Sequence, residues 1–310
     1  MSCASEGVLR LTESLLGETP SAPPVQMELG YGNENWHLQL SGGRQVLIKI
    51  AQPGHPVPKA ESASRAQQLA HGVGAPVAQE ILLVTQCAAA EGRIVRILEY
   101  LPGLHPTHVL DSTANIDTFF GSLGRAVAHL HQARCDGFAS HVGGSPSFPT
   151  WSQYVAYRVP QIARRGRACT LLTQTDLSAL LNEALELAQD VSAVVEPRLT
   201  HRDLYLDNLL AEPGGTVSAL LDLDHAEAWD PVADFVKLRW QVFPLYPGAA
   251  ETFWSAYTTV SPPLPHFDQR LRIAQILELT NTVINAEAAG DHRYALDAQS
   301  HLHQALKGEE

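Results

Sequence analysis

Apolar positions recur at helical spacing between residues 6 and 18, carried by Val8, Leu9, Leu11, Leu15 and Leu16. Pro20, Pro23 and Pro24 end that pattern. Short apolar runs follow. Val25 to Gly30 leads into Tyr31-Gly32-Asn33-Glu34-Asn35, which reads as a turn, and Trp36 to Leu40 resumes the strand pattern. Ser41-Gly42-Gly43-Arg44 is a hairpin turn, and Gln45 to Ile50 is a third strand. Lys59 to Gly72 switches to helical spacing, with Ala60, Ala63, Ala66, Leu69 and Ala70 as its stripe. Val77 to Val84 and Arg93 to Tyr100 add two strands, so the first hundred residues predict a five-stranded sheet with one helix.

Beyond Pro102-Gly103 the period becomes helical. Helices are expected over 113–133, 150–165, 175–195, 231–243, 248–258 and 266–289, with a further one over 291–306. Between them, Leu209-Leu210 and Val217 to Leu223 flank Glu212-Pro213-Gly214-Gly215, a hairpin set among helices. The expected class is α+β. A small antiparallel lobe occupies 1–98, a linker 99–104 and a helical lobe 105–310. A cleft between two such lobes is a usual place for a ligand.

Composition narrows the function. The chain has 310 residues and 45% hydrophobic content, enough for a substantial core. Its net charge of −12 argues against a nucleic-acid partner. The charge is uneven: residues 1–98 hold 8 acids and 7 bases, residues 99–310 hold 25 acids and 14 bases. An acidic second part steers cations inward, or simply keeps the surface soluble. Cys3, Cys87, Cys135 and Cys169 lie far apart and read as reduced thiols. No signal peptide and no membrane span is visible, so a cytoplasmic protein, monomer or dimer, is expected.

The chemistry concentrates in Thr200-His201-Arg202-Asp203-Leu204-Tyr205-Leu206-Asp207-Asn208, followed by Asp222 in Leu221-Asp222-Leu223-Asp224. Phosphoryl transfer needs cations on the phosphates and a carboxylate near the attacking hydroxyl. His-x-Asp-x-x-x-x-Asn supplies that carboxylate and an amide oxygen, and Asp222 supplies a second carboxylate. Hard oxygen donors of this kind suit Mg²⁺. Asp207 and Asp224 read either as solvated acids or as extra metal or substrate ligands. His129/His131 and His301/His303, two residues apart on helices, point to different faces and do not read as metal pairs.

These motifs resemble the aminoglycoside phosphotransferase family, small-molecule kinases with a protein-kinase-like fold. His201, Asp203 and Asn208 match its first motif. Leu221-Asp222-Leu223 and Trp229-Asp230-Pro231-Val232-Ala233-Asp234 match its second, with Leu223 where an aromatic residue is common and Trp229 where glycine is common. The resemblance implies ATP (or GTP) and Mg²⁺, with Asp203 as the base and Asn208 and Asp222 on the metal. It gives His201 and Asp234 structural roles, Asp234 bracing the catalytic loop. It places Lys49 on the α- and β-phosphates, paired with Glu61. The backbone of Glu99 and Leu101 would meet the adenine, and Gly30, Gly32 and Asn33 would lie over the phosphates. Arg202 reads as an exposed arginine, the preferred reading, or as one that faces phosphate.

The implied activity is O-phosphorylation of a small, cationic molecule, most readily an antibiotic such as an aminoglycoside, which would confer resistance. Asp224, Glu227, Glu278, Glu287 and Asp291 are its candidate contacts. The alternatives are a metabolic kinase for choline, homoserine or a sugar-like hydroxyl, and a pseudokinase binding module.

Overall fold

The computed structural model describes residues 5–27 and 33–307. Helix α1 (Ser5–Leu16) precedes strands β1 (Val25–Met27), β2 (Asn33–Gln39) and β3 (Gln45–Ala51). Helix α2 (Val57–Gly72) crosses to β4 (Glu80–Cys87) and β5 (Arg93–Glu99). The five strands form one antiparallel sheet in the order β1-β2-β3-β5-β4. Alternation in β2 and β3 buries Trp36, Leu38, Val46, Ile48 and Ile50 on one face, where Val8 and Leu11 of α1 cover them.

The turn expected through residue 35 does not extend over 33–35. Asn33, Glu34 and Asn35 belong to β2, opposite Ala51, Ile50 and Lys49. Glu34 is drawn into the sheet by a buried ion pair with Arg93 at 2.6 Å.

The chain then becomes mostly helical, with α3 (Thr113–Leu130), α4 (Trp151–Arg165) and α5 (Gln174–Val191). Ser112, Thr150 and Thr173 cap their N-termini, each hydroxyl accepting from the amide three residues on. Strands β6 (Arg198–Thr200) and β9 (Glu227–Trp229) pair around the hairpin of β7 (Leu209–Ala211) and β8 (Val217–Leu220). The β6–β9 pair was not foreseen, because three-residue strands carry too little alternation to read.

The helix expected over 231–243 is broken. Pro231–Ala233 is a 3₁₀ turn, α6 (Asp234–Lys237) is one α-turn, Leu238–Val242 is π-helical and Phe243–Leu245 is 3₁₀ again. Pro244 has no N–H to continue the ladder. Then come α7 (Ala249–Val260), α8 (Phe267–Ala288) and α9 (His292–Lys307).

One large core joins the helices. Phe119, Phe120, Leu123, Val127 and Leu130 give α3 its buried stripe against Phe253 and Tyr257 of α7. Gly124 permits their close approach, since a Cβ there would collide with the Phe253 carbonyl oxygen. Ala66 and Ala70 of α2 join the same core, so the sheet part is seated on the helical part. Leu104 and Ala211 exchange 2.9 Å backbone hydrogen bonds, pinning the segment after the sheet to β7. No described helix is long and apolar enough to cross a membrane.

Asp230 and Arg270 form a buried two-point ion pair at 3.0 and 2.7 Å that ties α8 to the segment after β9. Asp230→Ala strands the guanidinium in the core. We expect a loss of about 3–5 kcal/mol in urea unfolding; a loss under about 1 kcal/mol would show that the pair does not hold α8.

Candidate active site

Asp234 organises the segment that follows β6. Its carboxylate accepts from the backbone N–H of His201 at 2.8 Å and of Arg202 at 2.7 Å. It also accepts from His131 Nε2 of α3 at 3.0 Å, whose other ring nitrogen meets the Tyr257 hydroxyl at 3.0 Å. Burial opposes the charge on Asp234, but the His131 hydrogen bond and the nearby histidines hold its pKa below the usual carboxylate range. His201 is fully buried and donates from Nε2 to the Leu221 carbonyl at 2.7 Å. Leu221 N–H in turn reaches the Asn208 carbonyl at 2.8 Å. The residue after Leu221 is Asp222, so the two halves of the motif are locked in register.

Two side-chain-bearing residues here take left-handed backbone, Arg202 at φ 67° and Asp222 at φ 59°. Such strain costs of order 1–3 kcal/mol per residue. At Arg202 the bond to Asp234 offsets it. At Asp222 the flanking bonds to Leu221 do so.

Asp203 is three-quarters buried and faces two donors. Asn208 Nδ2 donates to its Oδ2 at 2.8 Å and to its carbonyl at 2.7 Å. The Lys237 ammonium contacts its Oδ1 directly. Burial works against the Asp203 charge, but Lys237 outweighs it and lowers the carboxyl pKa. Because the amide nitrogen of Asn208 is occupied by Asp203, its oxygen is left for another ligand.

Across the gap, Lys49 projects from β3. Its ammonium bonds Asp222 Oδ1 and Asp224 Oδ2, both at 2.9 Å. Glu61 is exposed on α2 and makes no ion pair with it. The reason is geometric: the α2 face toward the sheet is the one carrying Ala60, Ala63 and Ser64, and Glu61 faces away. Asp224 takes the place expected for Glu61. It is half-buried, not fully solvated, and also accepts from Arg96 Nη1 at 2.7 Å and Asn33 Nδ2 at 3.0 Å. Lys49 stands opposite Arg96 in the β3–β5 register, an unfavourable pairing of like charges that Asp224 neutralises. Arg96 is held in turn by Glu80 at 2.6 Å. Burial disfavours the Lys49 charge, yet Asp224 and Asp222 raise its pKa above the usual lysine value.

Gly30 and Gly32 lie outside the described residues. Beside the sheet, Glu99 N–H donates to Gln79 O and Tyr100 N–H to Gln45 O. Leu101 N–H has no protein partner among the described residues.

The acid residues proposed for the acceptor divide. Arg202 is buried, not exposed: its guanidinium lies 3.6 Å from the centre of the Trp229 ring and contacts Glu278 of α8. Glu227 lies 3.8 Å from it and accepts from the Tyr154 hydroxyl at 3.2 Å. Burial raises the Glu278 pKa, with Arg202 pulling the other way. Glu287 is about 13 Å further along α8 at 1.5 Å per residue. There it accepts from Thr170 N–H and hydroxyl, and hydrogen bonds from Cys169 and Thr170 lower it to about 2. Asp291 caps α9 through Tyr294 N–H at 3.1 Å. Glu287 therefore ties α8 to the segment before α5, and Asp291 serves the start of α9.

A cleft of about 950 Å³ borders the motif, lined by Tyr205, Asp207, the π-helical Arg239 and Trp240, and Asp297 and His301 of α9. Trp240 is stacked between Tyr294 and His301, at 5.3 and 5.7 Å. Sequence reasoning missed this wall, together with Arg96 and Lys237. A signal was present: Arg96 and Lys237 are lone cations in the apolar runs Ile94-Val95-Arg96-Ile97 and Phe235-Val236-Lys237-Leu238.

A family model described as the phosphotransferase enzyme family matches residues 25–269. The chain belongs to this family. No curated protein matches it in sequence. Among solved structures, a thermostable mutant of aminoglycoside phosphotransferase APH(4)-Ia, in a ternary complex with AMP-PNP and hygromycin B, superposes with a TM-score of 0.70 at 16% identity, over 97% of this chain and 98% of that one. A putative fructosamine-3-kinase from Thermobifida fusca YX-ER1 gives 0.70 at 19%, over 96% and 97%. A macrolide 2'-phosphotransferase type I gives 0.61 at 15%, over 97% of each chain. The phosphotransferase has the α+β, protein-kinase-like fold expected of it, and acts on hydroxyl groups.

The replacement of Glu61 by Asp224 has a measurable consequence. Glu61→Ala should leave nucleotide KM within about twofold, whereas Asp224→Asn should raise it about tenfold, the value of one charge-assisted hydrogen bond. Steady-state kinetics with varied nucleotide reads both; the reverse order would restore Glu61 to the role.

Proposed function

We propose that the chain is an ATP- or GTP-dependent O-phosphotransferase that modifies a hydroxyl of a small cationic molecule, an antibiotic of the aminoglycoside kind or a related basic compound, and so inactivates it. The observation that carries the phosphotransferase site is the meeting of Lys49 with Asp222 at 2.9 Å, across the gap between sheet and helices. On this reading nucleotide enters that gap, with its base at the free Leu101 amide and its phosphates at Lys49 and near Asn33.

The donor set suits Mg²⁺. Asn208 offers an amide oxygen and Asp222 a carboxylate that is 41% exposed. Among the described residues no three His, Cys, Asp or Glu side chains converge on one point. That fits an ion that takes its other ligands from phosphate and water. Bound there, Mg²⁺ would offset phosphate charge. The acceptor hydroxyl donates to Asp203, which is held ionised and takes the proton late in a loose transfer. Positioning and charge compensation supply most of the rate. His201 and Asp234 act through the loop they hold.

The acceptor is assigned to the cleft beside Tyr205–Asp207. Its size lies at the upper end of ligand pockets, ~300–1,000 Å³, and suits a multi-ring molecule better than choline or homoserine. Asp207 and Asp297 bring two acids to a lining that also holds Arg239, and Trp240 gives it an apolar wall. The antibiotic kinases among the structural neighbours agree with this size class. A second reading, a sugar-like metabolic acceptor, is favoured by one observation: Glu227 and Glu278 are spent on Arg202, so they offer little to a cation. The fructosamine-3-kinase neighbour is of that kind. Three free cysteines among the described residues and the need for nucleotide fit a cytoplasmic setting.

Asp203→Ala should cut turnover by at least about 10³-fold with nucleotide affinity nearly unchanged; turnover near that of the parent would remove Asp203 from the chemistry. Asp222→Ala should weaken nucleotide binding in Mg²⁺ and leave Mg²⁺-free binding alone. A panel of basic antibiotics, choline, homoserine and ketosamine sugars, scored by nucleotide diphosphate release, decides the acceptor. Preference for the small acceptors would sink the antibiotic reading.

A further inference from the structure

Lys237 is not part of either sequence motif, yet its ammonium touches the carboxylate at the centre of the site. Its carrier is rigid. Lys237 closes the single turn of α6 that begins at Asp234, and Asp234 is bonded to the same loop through His201 and Arg202. Three residues apart on a helix, Asp234 and Lys237 lie on neighbouring positions of one face. One grips the backbone before Asp203 and the other reaches Asp203 itself.

The ammonium has three protons. One contact goes to Asp203, and the Tyr205 ring lies 5.2 Å away on another side. The side chain remains 25% exposed, so the contact is not sealed off from solvent. Lys49 is committed to Asp222 and Asp224, and Lys237 is the cation that pairs with Asp203 itself.

We propose that Lys237 is a catalytic residue that binds the transferring phosphoryl group, a proposal that rests on the phosphotransferase reading above. The acceptor O–H bond breaks and its proton passes to Asp203. A bond forms from that oxygen to the terminal phosphorus, and the bond to the leaving nucleoside diphosphate breaks. Lys237 keeps all its protons and turns part of its charge from Asp203 to the phosphoryl oxygens as Asp203 becomes neutral. An ammonium fixed on the base is within reach of the group the base's partner attacks. A permanent cation is needed there because the Asp203 charge would otherwise repel the incoming phosphate.

The test uses MgATP alone, with water as acceptor, and follows ADP release by the full chain. Lys237→Met should lower kcat about 100-fold with KM for ATP within about threefold, the loss of one preorganised charge contact in the transition state. Lys237→Arg should recover to within about tenfold of the parent. MgADP with aluminium fluoride, which stands for the planar phosphoryl group, should bind the parent and the Arg variant more tightly than MgADP alone, and the Met variant no more tightly. Should the Met variant fail to fold, Lys237→Gln takes its place. A kcat within about threefold of the parent, or an unaltered aluminium-fluoride gain in the Met variant, overturns the role of Lys237. A parent protein that neither binds ADP nor releases it from ATP overturns the phosphotransferase reading itself, and this proposal with it.

Discussion

The carboxylate of Asp234 is the point on which the site depends. It accepts from two consecutive backbone amides of the catalytic segment and from His131 in the middle of the helical core. A buried carboxylate needs this many donors to remain charged. The bonds also hold Arg202 in a left-handed conformation that would not persist alone. Through His201 and Leu221 the same frame fixes Asp222, and through Asn208 it fixes Asp203. Removing Asp234 would therefore loosen residues that it never touches.

Around that frame, opposite charges are paired across elements. Lys49 rests on Asp222 and Asp224, Lys237 on Asp203, Arg96 on Asp224 and Glu80, and Arg202 on Glu227 and Glu278. Without these partners each charge would be too costly to bury. The proposed reaction would exchange some of them. Phosphate would compete for Lys49 and a metal for Asp222, so the pairs keep charged groups in position without tying them permanently.

Trp229 is explained by its neighbour. Where the family commonly has glycine, this chain has a buried indole whose face lies under the Arg202 guanidinium, a side chain only 7% exposed. The stacking adds order to a charged group that Glu278 and Glu227 already neutralise. Acids that look available to a cation in the sequence are thus committed inside the protein, which is why the proposed acceptor site is placed at the cleft lined by Asp207, Trp240 and Asp297.

Periodicity was enough for the five-stranded sheet, the long helices and the hairpin around Pro213-Gly214, because alternation and helical stripes are local properties. The residue set Lys49, Asp203, Asn208 and Asp222 was also legible, because spacing within two short segments and one apolar strand carried it. The partners were not. Glu61 and Asp224 are both acids near the right motifs, and which one meets Lys49 depends on the rotation of α2 over the sheet. Arg202 could not be known as buried until Trp229 and α8 closed over it. Lys237 reaches Asp203 because it closes the helical turn that starts at Asp234, whose carboxylate is bonded to the backbone just before Asp203. Local pattern in the sequence thus named the candidate residues of the site. Tertiary packing decided which charges compensate one another, because that depends on distances between elements far apart in the chain.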